Sequence, residues 1–151
     1  MRLTKFSDYA IRVLILAASR PERNITVEEA AAVYDISAAH LKKVVRALTQ
    51  AGFLDGVRGP GGGVHLRRPP AEIGLGDVVR RTEPDFALVE CQRPDNACRI
   101  TGLCTLPAIL SEATQAMLAV LDRYTLADIA VTPEAIDARL ADPAWRPDAE
   151  R

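Results

Sequence analysis

The sequence predicts a mostly α-helical chain with a small β-hairpin: a winged helix-turn-helix followed by a long C-terminal dimerisation helix. Three observations predict it. Two amphipathic helical patterns meet at a tight turn at Asp35-Ile36, and the second is basic on its free face. Two short extended runs then flank the glycine-rich stretch Gly59-Pro60-Gly61-Gly62-Gly63. Finally, an apolar stripe of Leu106, Ile109, Leu110, Ala113, Met117, Val120, Leu121 and Tyr124 recurs at helical spacing late in the chain.

The first helix is expected from about Thr4 to Arg20, with Phe6, Ala10, Val13, Leu14 and Ala17 on one face and Pro21 as its stop. Thr26-Val27-Glu28-Glu29 has the T-x-x-E pattern of a capping box and opens a short helix to about Tyr34. Ser37 is the expected N-cap of a third helix, whose Leu41, Val44, Val45 and Leu48 form its inner stripe. Leu54 to Arg58 and Val64 to Arg67 are the expected strands of the wing, and Pro69-Pro70 closes the unit. A short helix from about Leu75 to Thr82 packs back through Val78 and Val79. The late stripe has little local core left to cover, so pairing with a second copy is its natural burial. The organisation that follows is a winged helix-turn-helix over 1–82, a cysteine-bearing loop over 83–104, a dimerisation helix region over 105–130 and a tail over 131–151, disordered from about Ala141.

With 151 residues, 48% apolar and 26% charged, the chain has the make-up of one ordinary globular unit. Its N-terminal apolar run, Val13 to Ala18, is far short of the roughly 20 residues a bilayer span needs, and no signal-peptide pattern precedes it, so a cytoplasmic protein is expected. The net charge of −1 conceals an asymmetry. Residues 1–70 carry eleven Lys/Arg against six Asp/Glu, a net +5, and residues 71–151 carry eight against fourteen, a net −6. A basic first half fits a polyanion such as double-stranded DNA.

The candidate DNA contacts follow from this layout. Ser37, His40, Lys42, Lys43 and Arg46 face away from the inner stripe of the third helix, toward a major groove or its phosphates. Arg58, Gly61, Gly62 and His65 sit in the wing, where cations and close backbone approach suit phosphates or a minor groove. The glycine run lacks the Lys-Ser/Thr and the strand-to-helix context of a nucleotide-binding loop. His40 and His65 have no serine or carboxylate at a telling spacing, so nothing marks a hydrolytic enzyme.

Cys91, Cys98 and Cys104 form C-x6-C-x5-C in an irregular stretch. An odd thiol count fits ligand duty in a reducing compartment better than a disulfide framework. Three thiolates favour an iron-sulfur cluster, zinc or Cu(I), although structural zinc usually takes tighter cysteine pairs and four protein ligands. Gln92, Arg93, Asp95, Asn96 and Arg99 around them argue against a plain apolar core.

These residues resemble the winged-helix iron-sulfur regulators. The resemblance spans roughly Met1 to Ala130 through MRLTKFSDYAIRVL, HLKKVVRALTQAGFL, VRGPGGGVHL, GDVVRRTEP, the three cysteines and YTLADI. The branch that regulates cluster biogenesis carries a histidine ligand three residues after the last cysteine, where this chain has Pro107, and the sequence is more similar to the nitric-oxide-sensing branch. That resemblance implies a homodimeric repressor of a pseudo-palindromic operator with a 4Fe-4S cluster on Cys91, Cys98 and Cys104. It also implies that Asp8 of the partner subunit is the fourth ligand and that nitric oxide is the signal. A 2Fe-2S cluster sensing redox or cluster status, or a zinc-stapled DNA-binding protein, are the alternatives. From the residues alone, Asp8 has two plainer roles, favouring the helix N-terminal end or pairing with Arg12 at i, i+4. Glu83, Asp85, Glu90 and Asp95 are rival acids in or near the loop.

Overall fold

The computed structural model describes residues 2–142. Helix α1 (Lys5–Ser19) begins at Thr4, whose hydroxyl accepts a hydrogen bond from Ser7 N–H at 3.2 Å. Its buried face is Ala10, Val13, Leu14, Leu16 and Ala17. Phe6 is only half-buried, and Leu16 takes a fuller share of the core than the sequence stripe assigned it. Helix α2 (Val27–Tyr34) is capped by the Thr26 hydroxyl, which accepts from Glu29 N–H at 3.0 Å. The reciprocal half of the expected capping box is not made. The Glu29 carboxylate instead takes two hydrogen bonds from Arg23, at 2.8 and 2.5 Å, and that pairing holds it below the usual carboxylate range. A charge-assisted bidentate pair outcompetes one bond to a cap amide.

Asp35, left-handed with φ 51°, turns the chain into helix α3 (Ala38–Gln50). Leu41, Val44 and Leu48 are buried there, each leucine contributing roughly 2 kcal/mol of burial. Ser37 stands at the N-cap position, but its side chain makes no cap hydrogen bond, contrary to expectation. Helices α2 and α3 rest on α1 around Phe53, Leu14, Ile25 and Leu54, all fully buried.

Strands β1 (Leu54–Val57) and β2 (Gly63–Leu66) pair antiparallel, Leu54 opposite Leu66 and Val57 opposite Gly63. The hairpin does not stand alone. Ile25 and Val64 exchange backbone hydrogen bonds at 2.9 and 2.8 Å, adding the α1–α2 connection as a third edge. Gly63 is required at this contact. Its φ is +145°, and a Cβ there would lie 2.4 Å from the Ile25 carbonyl oxygen.

Helix α4 (Leu75–Thr82) returns to α1 through Val78 and Val79. Helix α5 (Leu106–Leu121) follows the cysteine loop and ends three residues before Tyr124. After it, Leu75 N–H donates to the Tyr124 carbonyl at 3.0 Å, and Leu126 N–H to that of Ile73 at 2.8 Å. Arg80 clamps Asp122 with two bonds, at 2.5 and 2.6 Å. In the chain itself α5 buries only Thr114 and Leu118. Leu106, Ile109, Val120 and, beyond its end, Tyr124 are 45–58% exposed along the other side.

Within the stretch taken from sequence as a tail, Pro133–Ala141 forms helix α6. The Thr132 hydroxyl accepts from Ala135 N–H at 3.3 Å, Pro133 starts the first turn, Ile136 packs on the core, and Asp137 pairs with Arg20 at 2.5 Å. The disorder expected from about Ala141 concerns mainly residues 143–151, which lie outside the described residues.

Candidate functional site

The outer face of α3 presents Ser37, His40, Lys42, Lys43 and Arg46 together, all exposed. No side chain among these five has a hydrogen-bond or ion-pair partner among the described residues. Arg58 in the wing is likewise exposed and unpaired there, whereas Arg12, Arg20, Arg23 and Arg80 each face a carboxylate. Uncompensated cations on one helix face and an adjoining hairpin are an electrostatic footprint for a polyanion. Gly61 is exposed at the wing tip, and a Cβ on Gly62 would lie 2.6 Å from the Val57 carbonyl oxygen, so the tip is built to be narrow.

His65 is held differently from the other wing residues. Its Nδ1 lies 3.1 Å from Asn24 Oδ1, while Asn24 Nδ2 donates to the Gly61 carbonyl at 3.0 Å. Asn24 therefore ties the wing to the α1–α2 turn. No periodicity or motif marks it in the sequence.

Cys91, Cys98 and Cys104 are free thiols, the first two half-buried and the third exposed, so none serves as core packing. Cys91 lies in a 3-10 turn over Glu90–Gln92. Polar side chains tie the loop together. Glu90 accepts from Ala97 N–H at 2.7 Å, and Asn96 accepts from Cys98 N–H at 3.3 Å and from the Thr101 hydroxyl at 2.7 Å. Gln92 straps the loop to the start of α5 by donating to the Pro107 carbonyl at 3.1 Å. Three free thiols on one loop outside the α-helices and the hairpin are a donor set that fits a soft iron centre. Among the described residues no group of three or more His, Cys, Asp or Glu converges as a metal cage.

The candidate acids divide by what already holds them. Glu83 accepts from Thr4, Asp85 lies 3.7 Å from Arg93, Glu90 binds the loop backbone, and the Asp95 side chain has no partner among the described residues. Asp8 forms a two-point pair with Arg12, at 3.0 and 2.8 Å, with both side chains over 40% exposed. The plainer pairing is thus the one present within a single chain. Arg12 in turn lies over the Tyr34 ring, 6.0 Å from its centroid, and the Tyr34 hydroxyl donates to the Arg12 carbonyl at 2.9 Å. Burial pushes the Tyr34 phenol up to about 12, so it stays a neutral donor. Asp8, Arg12 and Tyr34 form a chain from the first turn of α1 to the end of α2, directly before the helix that carries the basic face.

A helix-turn-helix with a bare basic face, a glycine wing braced against its own turn and a trailing thiol loop define a winged-helix transcriptional regulator. The chain belongs to the Rrf2 family: residues 3–132 match the family profile described as an iron-dependent transcriptional regulator. It is 46% identical over 138 residues to the HTH-type transcriptional regulator NsrR of Bacillus subtilis, spanning 90% of this chain and 94% of that protein. Among solved structures, the oxidized form of Staphylococcus aureus CymR matches at 28% identity and a TM-score of 0.65, covering 83% of this chain and 93% of that one. T. potens IscR matches at 22% identity and a TM-score of 0.69, covering 97% and 94%, which speaks to the fold. The mostly helical architecture with one hairpin, expected from sequence, is therefore the observed one. No helix among the described residues is long and apolar enough to cross a membrane.

Proposed function

We propose that this protein is a cytoplasmic, homodimeric repressor that binds a pseudo-palindromic DNA operator and is released from it by nitric oxide through a 4Fe-4S cluster. The carrying observation is the conjunction of three free thiols on one loop with an unpaired basic face on α3 in a chain 46% identical to NsrR. Cys91, Cys98 and Cys104 would hold the cluster, with Asp8 of the partner subunit as fourth ligand. When bound, the cluster supplies iron with which nitric oxide reacts.

The chain's own residues do the rest. Ser37, His40, Lys42, Lys43 and Arg46 face the major groove or its flanking phosphates, and Arg58, Gly61, Gly62 and His65 engage the backbone or minor groove from the wing. The exposed row Leu106, Ile109, Val120 and Tyr124 lies against the same row of a second copy, setting the spacing of the two α3 helices. Asp8 has two partners to choose between, Arg12 in its own chain and the thiol loop across the interface. A carboxylate binds a soft iron less firmly than thiolate does, so Asp8 would be the weakest of the four ligands. Were Asp8 to pair with Arg12 as it does within one chain, α1 would no longer be tied to the opposite loop, and the two recognition helices would lose the separation that the operator demands.

The absorption spectrum of anaerobically purified protein, with iron and sulfide analysis, tests the cofactor. About four iron and four sulfide per chain supports the reading, two of each points to a 2Fe-2S regulator, and a colourless zinc protein overturns the nitric-oxide mechanism while keeping the DNA-binding unit.

A further inference from the structure

We propose that Asn24 is a positioning residue for operator binding: it braces the wing tip and fixes the tautomer of His65, so that His65 offers DNA a donor hydrogen only when its ring is charged. The inference rests on the wing meeting DNA, as in the function proposed above. Asn24 Nδ2 donates to the Gly61 carbonyl at 3.0 Å, which assigns the amide orientation, since the reversed amide would set two oxygens against each other. Asn24 Oδ1 must then accept, and the group it faces at 3.1 Å is His65 Nδ1. The neutral ring therefore carries its proton on Nδ1 and leaves Nε2, which has no partner among the described residues, as an acceptor.

Phosphate oxygens, and the A·T edges of the minor groove, are acceptors too. A neutral His65 in this tautomer meets them lone pair to lone pair, and protonation turns Nε2 into a charge-assisted donor. Charged groups approach the ring from every neighbouring element. They are Arg20 at the end of α1, Glu22 and Arg23 in the turn, Asp55 opposite on β1, and Arg67 and Arg68 on and after β2. The same contact holds the wing in place, because Asn24 immediately precedes Ile25, whose backbone pairs with Val64.

Two measurements test this. Nitrogen-15 spectra of the free, cluster-loaded protein should show neutral His65 protonated at Nδ1, and a neutral ring protonated at Nε2 overturns the inference. Operator affinity of the wild type, measured anaerobically between pH 6 and pH 8, should fall about fivefold or more as pH rises, and His65→Ala should flatten that dependence. Asn24→Ala frees the ring to carry its proton on Nε2. It should bind about fivefold more weakly at pH 6, with less than about a twofold change across the range. A merely structural role would lower affinity equally at every pH, so an Asn24→Ala protein with the wild-type pH profile overturns the proposal. If Asn24→Ala does not fold, the wild-type tautomer and the His65→Ala profile decide. A wild type with the Nδ1 tautomer that binds no operator sinks the functional reading, not the tautomer.

Discussion

Glu83, the first residue of the cysteine loop, accepts two hydrogen bonds from Thr4, the residue that caps α1: one from the backbone N–H at 2.8 Å and one from the hydroxyl at 3.0 Å. Loop and helix are thereby tied within one chain, four residues before Asp8. Both bonds fall on one carboxylate oxygen, Oε1, so Glu83 braces the loop against the start of α1. Glu83→Ala should lower stability by about 1–2 kcal/mol, read from denaturant midpoints at fixed protein concentration, with iron and sulfide content unchanged. Loss of iron at unchanged stability would make Glu83 a ligand instead.

The wing depends on close backbone contact more than on side chains. Gly63→Ala places a methyl 2.4 Å from the Ile25 carbonyl at a φ of +145°, and should cost at least about 2 kcal/mol and weaken operator binding. Gly61→Ala, with open space around the same atom and only the φ of +73° against it, should cost about 1 kcal/mol. Equal denaturant midpoints for the two would show that the Ile25 contact does not hold the hairpin.

Ile109 is 58% exposed in the middle of the outward row of α5. If this row is the dimer interface proposed above, Ile109→Glu should leave the chain folded and convert a dimer to monomer in sedimentation experiments, because the charge would be buried against a second copy. A fully dimeric Ile109→Glu protein would move the interface elsewhere.

Arg46 and Arg58 are exposed and unpaired. If each meets a phosphate, replacing either with alanine should weaken operator binding across sequences and reduce the magnitude of the salt slope by about 1. Unchanged affinity and slope in both variants would remove α3 and the wing as the contact surface.

Much of this was legible in the sequence because it depends on local pattern. The Leu41, Val44, Leu48 spacing and the Gly59–Gly63 run fixed α3 and the wing to within a residue or two. What stayed hidden depends on pairs distant in sequence. Thr26 and Glu29 read as a capping box until Arg23 is seen to claim the glutamate, and a true reciprocal box forms at Thr125 and Asp128. Helix α6 gains its place from Ile136 on the core and from Arg20, 117 residues from Asp137. Asn24 is a loop residue of no pattern, and its role exists only because Gly61 and His65 fold back onto it. At the candidate site, sequence picked out the thiols and the basic face, and the structure adds what Asp8 and Glu83 hold within one chain.

The proposed coupling of cluster to DNA is tested most directly by operator binding of the anaerobic, cluster-loaded protein, followed together with its visible absorption as nitric oxide is added. Tight binding should be lost in step with the collapse of the cluster band, and an Asp8→Ala protein that holds its cluster should no longer couple the two. Binding that persists unchanged after the band has collapsed would contradict it.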